Sequence, residues 1–411
     1  MKRFRFPHIA IWLLVAVGIA CWWKSSQRPR ELTTEVYVWQ RADSPELRDA
    51  LNRSREVAAR RHFLAVEIGR HDSKWRVTRG TLPDELISGQ GLVMRIGASL
   101  AGETWRDGEA LDRVLAEAAW MAARPAAEFQ IDYDCPQRSL SDYQRLLGKI
   151  RARHPHRKWS ITALPSWLDE TSAKQLFKTT DGVVLQVHSL RLPDQPQRPV
   201  ILCDPVAARE AVRKMSVLGV PFRVALNTYG CEVLFDENNR VLDVVSEDLQ
   251  NPLPPNATRR SVGISDAVEL ANLVAGWKSN PPRGLSGIVW YRLPLDSDRR
   301  NWRWITWRCA AGGITPVSDL RLEARAASNG AWDLVLTNRG ERDERLPEFV
   351  FPGCETLVLE GSNGYGSDAA DRLILENTAW PWLPPGDSLT IGWLRPAQAS
   401  ARPAPAIQTS P

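Results

Sequence analysis

The sequence is poor in the features that mark most specialised chemistries. Its six cysteines form no C-x-x-C pair and no Cys/His spacing of the zinc-binding kind, so neither a metal nor another cofactor is expected. No G-x-S-x-G elbow and no Gly-rich phosphate loop occurs, which removes the serine α/β-hydrolases and the P-loop nucleotide enzymes. An excess of one charge is nearly absent too. Lys and Arg number 53 against 48 Asp and Glu, a net +5, and Lys2, Arg3 and Arg5 supply three of those positives. The remaining excess of about +2 is too small to argue for nucleic acid. No apolar run reaches the ~20 residues of a spanning helix. With 411 residues, 43% hydrophobic and 25% charged, the chain has ordinary globular composition and is no polytopic membrane protein.

Tryptophan is what the sequence has in excess: 18, against 9 Phe and 6 Tyr. An indole either stacks on a sugar ring or fills a seam between layers with its N–H on a local acceptor. Three of them, Trp12, Trp22 and Trp23, lie in an N-terminal segment with a basic start, fifteen apolar positions over 9–23, and a polar stretch over 24–27. That length suits the apolar region of a signal peptide. Gly18-Ile19-Ala20-Cys21 resembles a bacterial lipobox, in which Cys21 is lipidated. An uncleaved anchor, with Trp22 and Trp23 at the interface, is the alternative. Both imply export and tethering to a membrane through the N-terminus, in the periplasm or at the cell surface. The five further cysteines, Cys135, Cys203, Cys231, Cys309 and Cys354, allow two disulfides at most, and otherwise read as buried small hydrophobes.

Along the chain, short apolar runs alternate with helical patterns. Strands are expected at 35–40, 62–69, 92–97, 128–134, 159–167, 182–189, 221–230 and 285–294, and helices at 108–123, 141–154, 205–218 and 265–278, with Asp204 and Ser265 opening the last two. Eight β units in about 280 residues predict a (β/α)8 TIM-like barrel over 31–312. After Gly312-Gly313 only strand-like runs remain, which predicts a small β-sandwich over 313–396. The Pro/Ala-rich residues 397–411 are expected to be disordered.

In such a barrel the chemistry sits at the C-terminal ends of the strands, and residues two apart share a face. On the fourth strand Gln130, Asp132 and Asp134 then face the lumen, with Asp134 uppermost. The other strands add Tyr37 and Trp39, Glu67 (with Leu64 pointing outward), Arg95, Gln186 and His188, Asn227 and Tyr229, and Tyr291. A lumen with nothing to bind would be closed by aliphatic side chains, because buried polar groups cost free energy unless paired. Carboxylates, amides and aromatics without a metal cluster suit carbohydrate, since glycosidic hydrolysis needs one carboxyl as proton donor and a second as nucleophile or base.

Phe129 to Pro136 (Phe-Gln-Ile-Asp-Tyr-Asp-Cys-Pro), with Leu140, Tyr143, Leu146 and Leu147, the run from Trp159 to Trp167, and the opening Val36-Tyr37-Val38-Trp39, resembles an exported bacterial family, domain of unknown function 3142. That family is itself similar to glycosidase-type TIM barrels. The resemblance covers most of the barrel and implies a glycan partner, with Trp167 among the binding aromatics. Asp132-Tyr133-Asp134 is also similar to the strand-four D-x-D-x-E of chitinase-like barrels, with a departure in either register: Pro136 stands at the acid Glu, or Gln130 at the first Asp. The long connection over 231–263 supplies Glu232 as a further carboxylate. Two roles are open. In a glycoside hydrolase-like enzyme Asp134 is the acid, Asp132 tunes it, and Glu67 or Glu232 is nucleophile or base; the alternative is a catalytically silent barrel that binds glycan or serves envelope assembly.

Overall fold

The computed structural model describes residues 31–397, apart from positions within 189–199, 247–255, 352–355, 369–371 and 377–379, and adds 406–408. The N-terminal address, including Cys21, and Cys354 lie outside the described residues. Eight strands, β1 (Thr33–Val38), β2 (Arg60–His71), β3 (Gly91–Ile96), β4 (Glu128–Tyr133), β5 (Trp159–Ala163), β6 (Gly182–Gln186), β7 (Phe222–Asn227) and β8 (Leu285–Tyr291), pair in parallel with their neighbours. Strand β1 joins both β2 and β8, which closes the barrel. A helix comes after each strand: α1 (Pro45–Ser54), α2 (Asp84–Ile87), α3 (Glu109–Ala122), α4 (Leu140–Arg153), α5 (Thr171–Lys178), α6 (Pro205–Val217), α7 (Ala267–Ser279) and α8 (Trp304–Gly312). The fold is a TIM barrel, and among the described residues no helix is long and apolar enough to cross a membrane.

Local chemistry starts the helices. Asp204 accepts from the amides of Val206 and Ala207 at the head of α6, with Pro205 at the first helical position. At α7 the cap is Asp266, not Ser265. The Ser265 hydroxyl is already engaged, accepting from the Asn227 amide and donating to the Tyr229 carbonyl.

The strand alternation sorts side chains into two cores. Phe129, Ile131 and Tyr133, with their equivalents on neighbouring strands, pack against the helices, whereas Leu64, Val93, Val184, Ala225 and Val289 meet inside the lumen. Leu64 thus points inward, contrary to the outward position expected of it. A shift in the β2–β3 register between Leu64 and Val66 is the cause. It inserts one residue, so that Leu64 and Glu67, three apart, both face inward. Strand β2 also runs on past its expected end, through Asp72 and Ser73 at φ of 47° and 62°, into an antiparallel strand Lys74–Arg79. Two such residues in succession form the hairpin turn whose twist matches the strands.

Beyond Gly312 the strands are antiparallel. One sheet orders Leu320–Ala326, Trp332–Asn338, Ser388–Pro396 and Thr356–Gly361; another orders Tyr365–Ser367, Arg372–Leu375, Glu348–Val350 and Ala406–Gln408. Leu334, Leu336 and Ile391 of the first share a core with Phe349 and Leu373 of the second. The tail departs from the expected disorder at Ala406–Gln408, which pairs with Glu348–Val350 and covers that edge.

Candidate active site

The lumen is built in layers. At the bottom, Arg223 of β7 bridges Glu35 of β1 at 2.5 Å and Glu128 of β4, while His62 of β2 sits 2.7 Å from Glu35 and the Ser160 hydroxyl donates to Glu128 at 2.6 Å. Burial would raise the Glu128 pKa, but Arg223 and His62 outweigh it and bring it to about 2. Glu35 is lowered in the same way, its hydrogen bond to His62 and the Arg223 charge overcoming burial. This cluster was not anticipated as a unit, although Glu35 and Glu128 share the inward face of Tyr37 and Gln130. It sits at the end of the barrel where stability, rather than catalysis, is normally decided.

The aliphatic layer lies above, and Tyr37 crosses it to donate to Gln130 Oε1 at 2.7 Å. Both residues are buried, at 3% and 0% exposure, so they form the floor of the site rather than its walls.

The upper layer brings most of the expected residues together. Asp132, at 8% exposure, accepts from the Thr162 hydroxyl at 2.9 Å and lies 3.4 Å from the Gln186 amide. Burial, then the neighbouring Asp134 charge, pushes its pKa up to about 6, against the pull of Arg95. Asp134 stands exposed just beyond the end of β4. Desolvation by the surrounding walls raises its pKa as well, partly offset by Arg95. Among the described residues it has no hydrogen-bond partner. Arg95 lies level with Asp132 on one side and Glu67 on the other. Desolvation by the lumen walls works against its charge, and the through-space attraction of Asp132, Tyr291, Asp134 and Glu67 outweighs it, which raises its pKa. Glu67 itself is ion-paired to Arg41 at 2.5 Å.

An aromatic wall stands opposite. Tyr291 packs edge-on to Trp39 at 4.8 Å and Tyr229 at 5.6 Å, and is stacked on His188 at 5.7 Å. Burial lowers the His188 pKa to about 4, so the ring is neutral at ordinary pH, and its Nε2 has no hydrogen-bond partner among the described residues. A buried ring nitrogen left open in the wall of a lumen is a hydrogen-bonding position for a ligand.

Three expected site residues are placed elsewhere. Trp167 is fully buried between β-strands and helices, its indole donating to the Cys135 carbonyl at 3.2 Å, and it fills a seam instead of lining the lumen. Glu232 lies on the strand Gly230–Phe235 of a three-stranded sheet inserted after β7, at 1% exposure, held by Arg260 at 2.8 Å and Arg300 at 3.2 Å. Those two guanidiniums occupy the carboxylate that was expected to serve chemistry. Asn227 is sealed at 0% exposure against Ser265 and orients the entry to α7. Cys135, Cys203, Cys231 and Cys309 are free thiols. Among the described residues no group of three or more His, Cys, Asp or Glu side chains is placed to hold a metal ion.

Residues 92–296 match the family model described as a domain of unknown function, DUF3142, and residues 321–397 match a second, DUF8456. The first match lies within the barrel, from β3 to just past β8. No curated protein matches the sequence. Among solved structures, the chain is similar to the Bacillus cereus spore cortex-lytic enzyme SleL, with 14% identity over 70% of this chain and 75% of that one, at a TM-score of 0.49. It is also similar to a chitinase from Chromobacterium violaceum, with 11% identity over 69% of this chain and 98% of the other, at a TM-score of 0.47.

Proposed function

We propose that this chain, whose residues 92–296 match DUF3142, acts on a glycan in the cell envelope, with Asp134 as proton donor, its pKa held up by the desolvating walls around it, and Asp132 beneath it as the partner carboxyl. The observation that carries this is the Asp132–Asp134 pair at the mouth of β4, with both pKa values raised and an aromatic wall across the lumen. Two neighbouring carboxyls in a partly dry site resist ionising together, which keeps one proton available near neutral pH. Sugar rings stack on Tyr291, Trp39 or Tyr229, and the open Nε2 of His188 takes a hydroxyl or amide. Glu67 is the remaining carboxylate at the mouth. Its ion pair with Arg41 is half-exposed, so it exchanges partners easily enough to serve as base.

A second role, glycan binding without turnover, is favoured by the incomplete likeness to the D-x-D-x-E of chitinase-like barrels: in one register Pro136 stands at the acid Glu, and in the other Gln130 replaces the first Asp. Asp134→Asn separates the two. A hydrolase loses turnover of oligosaccharides by at least about a hundredfold, the ordinary worth of a general acid, with its melting temperature unchanged or raised, because Asp134 is exposed, has no hydrogen bond among the described residues, and its charge opposes that of Asp132. A binding barrel shows no turnover in either form and altered affinity. Intact turnover in the variant would remove Asp134 from the site. Envelope location and N-terminal tethering belong to the same proposal. Membrane fractionation of the native protein and of Cys21→Ser tests them: loss of retention in the variant supports lipidation, retained binding supports an uncleaved anchor, and wild-type protein in the cytosol would refute both.

A further inference from the structure

Beside the aspartates, a cleft of about 620 Å³ runs between the upper end of β2, its hairpin strand and the end of β3. Its walls carry four guanidiniums, Arg41, Arg70, Arg76 and Arg95, against one carboxylate, Glu67. Two of the four are already committed. Arg41 pairs with Glu67 at 2.5 Å, and Arg70 pairs with Glu103 at 3.0 Å while lying over the Trp75 ring at 4.3 Å. Arg76 and Arg95 have no ion pair and no hydrogen bond among the described residues, and both are exposed. The strand register explains why. Gly69 is the residue directly across from Arg76, so no side chain opposes that guanidinium. Arg95 is level with Glu67 on β2, and Glu67 turns instead to Arg41. Arg95 feels Asp132, Asp134 and Glu67 through space without a direct contact. The small floor is also required: a Cβ at Gly69 would come within 3.1 Å of Ser99 Oγ, and Ser99 Oγ accepts from the Arg70 amide at 2.8 Å.

The geometry points to an anion subsite in this cleft, in which Arg95 and Arg76 bind carboxylates spaced along a glycan whose next unit lies at Asp134. This rests on the proposed glycan function and names its substrate class: an acidic saccharide bearing carboxylates. Charged hydrogen bonds from planar guanidiniums fit carboxylates in a two-pronged manner. The two arginines flank β2, level with Glu67 and Gly69, so their backbones stand two strand spacings across and two residues along it, ~12 Å apart. That separation suits charges repeated along a chain better than one phosphate or sulfate group.

The test measures binding of the full chain, at physiological ionic strength, to oligogalacturonate, to neutral chito-oligosaccharide of equal length and to dextran sulfate, with Arg76→Gln and a remote control, Arg321→Gln. The subsite predicts oligogalacturonate bound about tenfold or more tightly than the neutral oligomer, a loss of about that factor in Arg76→Gln but not in Arg321→Gln, and unchanged neutral binding in both. Because Arg76 is an exposed hairpin residue, matching thermal melts will show that the variant is folded. Equal affinity for acidic and neutral oligomers, or an Arg76→Gln variant that binds like the wild type, overturns the subsite and leaves the glycan function standing. Dextran sulfate as the tightest ligand, weakened equally by both substitutions, overturns it in favour of unspecific charge attraction. Binding of none of the three overturns the subsite and the glycan function together.

Discussion

At the scale of single residues, Asp132 carries a free-energy cost that can be measured without knowing the substrate. Its carboxyl holds a proton more tightly in the folded chain, at a pKa of about 6, than in the unfolded one, at ~3.9. The folded state therefore binds more protons between those values, and stability falls as pH rises through that window and stays low above it. Asp132→Asn removes the charge and keeps an acceptor for the Thr162 hydroxyl. It is expected to stabilise the protein by roughly 1 to 3 kcal/mol at pH 7.5, with the gain gone near pH 4. Urea titrations at the two pH values check this. A loss of stability of similar size at both would mean that Asp132 chiefly anchors Arg95, and the strained acid pair would have to be given up.

At the scale of elements, the lower lumen predicts the opposite dependence on pH. Glu128, at about 2, and Glu35 are held below their ordinary range, so the stability they confer is present above the unfolded value of ~4.3 and is lost as pH falls from there toward 2. Arg223 is their shared partner. Arg223→Met leaves two buried carboxylates facing each other and is expected to destabilise by roughly 3 to 5 kcal/mol at pH 7; the deficit shrinks toward pH 3, where both can protonate. Denaturant melts at the two pH values decide it, and a uniform small loss would show that the cluster is well hydrated. Such contacts also mark how far the sequence could be read. Alternation on β4, β6 and β7 placed Asp132, Gln186, His188 and Tyr229 on the inner face, because period two is a local property. Leu64 was misplaced, since a bulge leaves no signal in an apolar run. Glu232 and Trp167 failed for another reason: whether a carboxylate is free or an indole buried depends on partners such as Arg300 and Cys135 that lie 68 and 32 residues away.

At the scale of the whole molecule, the question is whether the barrel and the antiparallel sheets behave as two units. Helix α8 is capped by Gly313, at φ 74°, where a Cβ would come within 3.0 Å of the Ala275 backbone in α7, so the last barrel helix is locked to its neighbour up to that residue. Beyond it the chain is extended, with Ile314 at 62% and Val317 at 59% exposure. It is tied again at Val317, whose carbonyl accepts from the Glu341 amide at 2.7 Å. Between those two fastenings only a few residues are free to enter a protease. Contacts between the sheets and the barrel include Arg303, paired with Asp387 at 3.0 Å, Glu341 against Cys309, and Trp380, which lies 5.9 Å from the Arg300 guanidinium and packs on Gly230, where a Cβ would come within 2.5 Å of the ring. The hydrophobic cores of the barrel and of the sheets are separate clusters, so this contact resembles a transient interface more than a shared core. Limited proteolysis should therefore cut first within 313–317, giving two fragments that stay together in low salt and separate as salt screens the Arg303–Asp387 pair. Mass spectrometry locates the cut, and size exclusion at two ionic strengths tracks the fragments. A first cut inside α3 or α4, or fragments that separate only in denaturant, would make the sheets an integral part of the barrel and the boundary at Gly313 a mere turn.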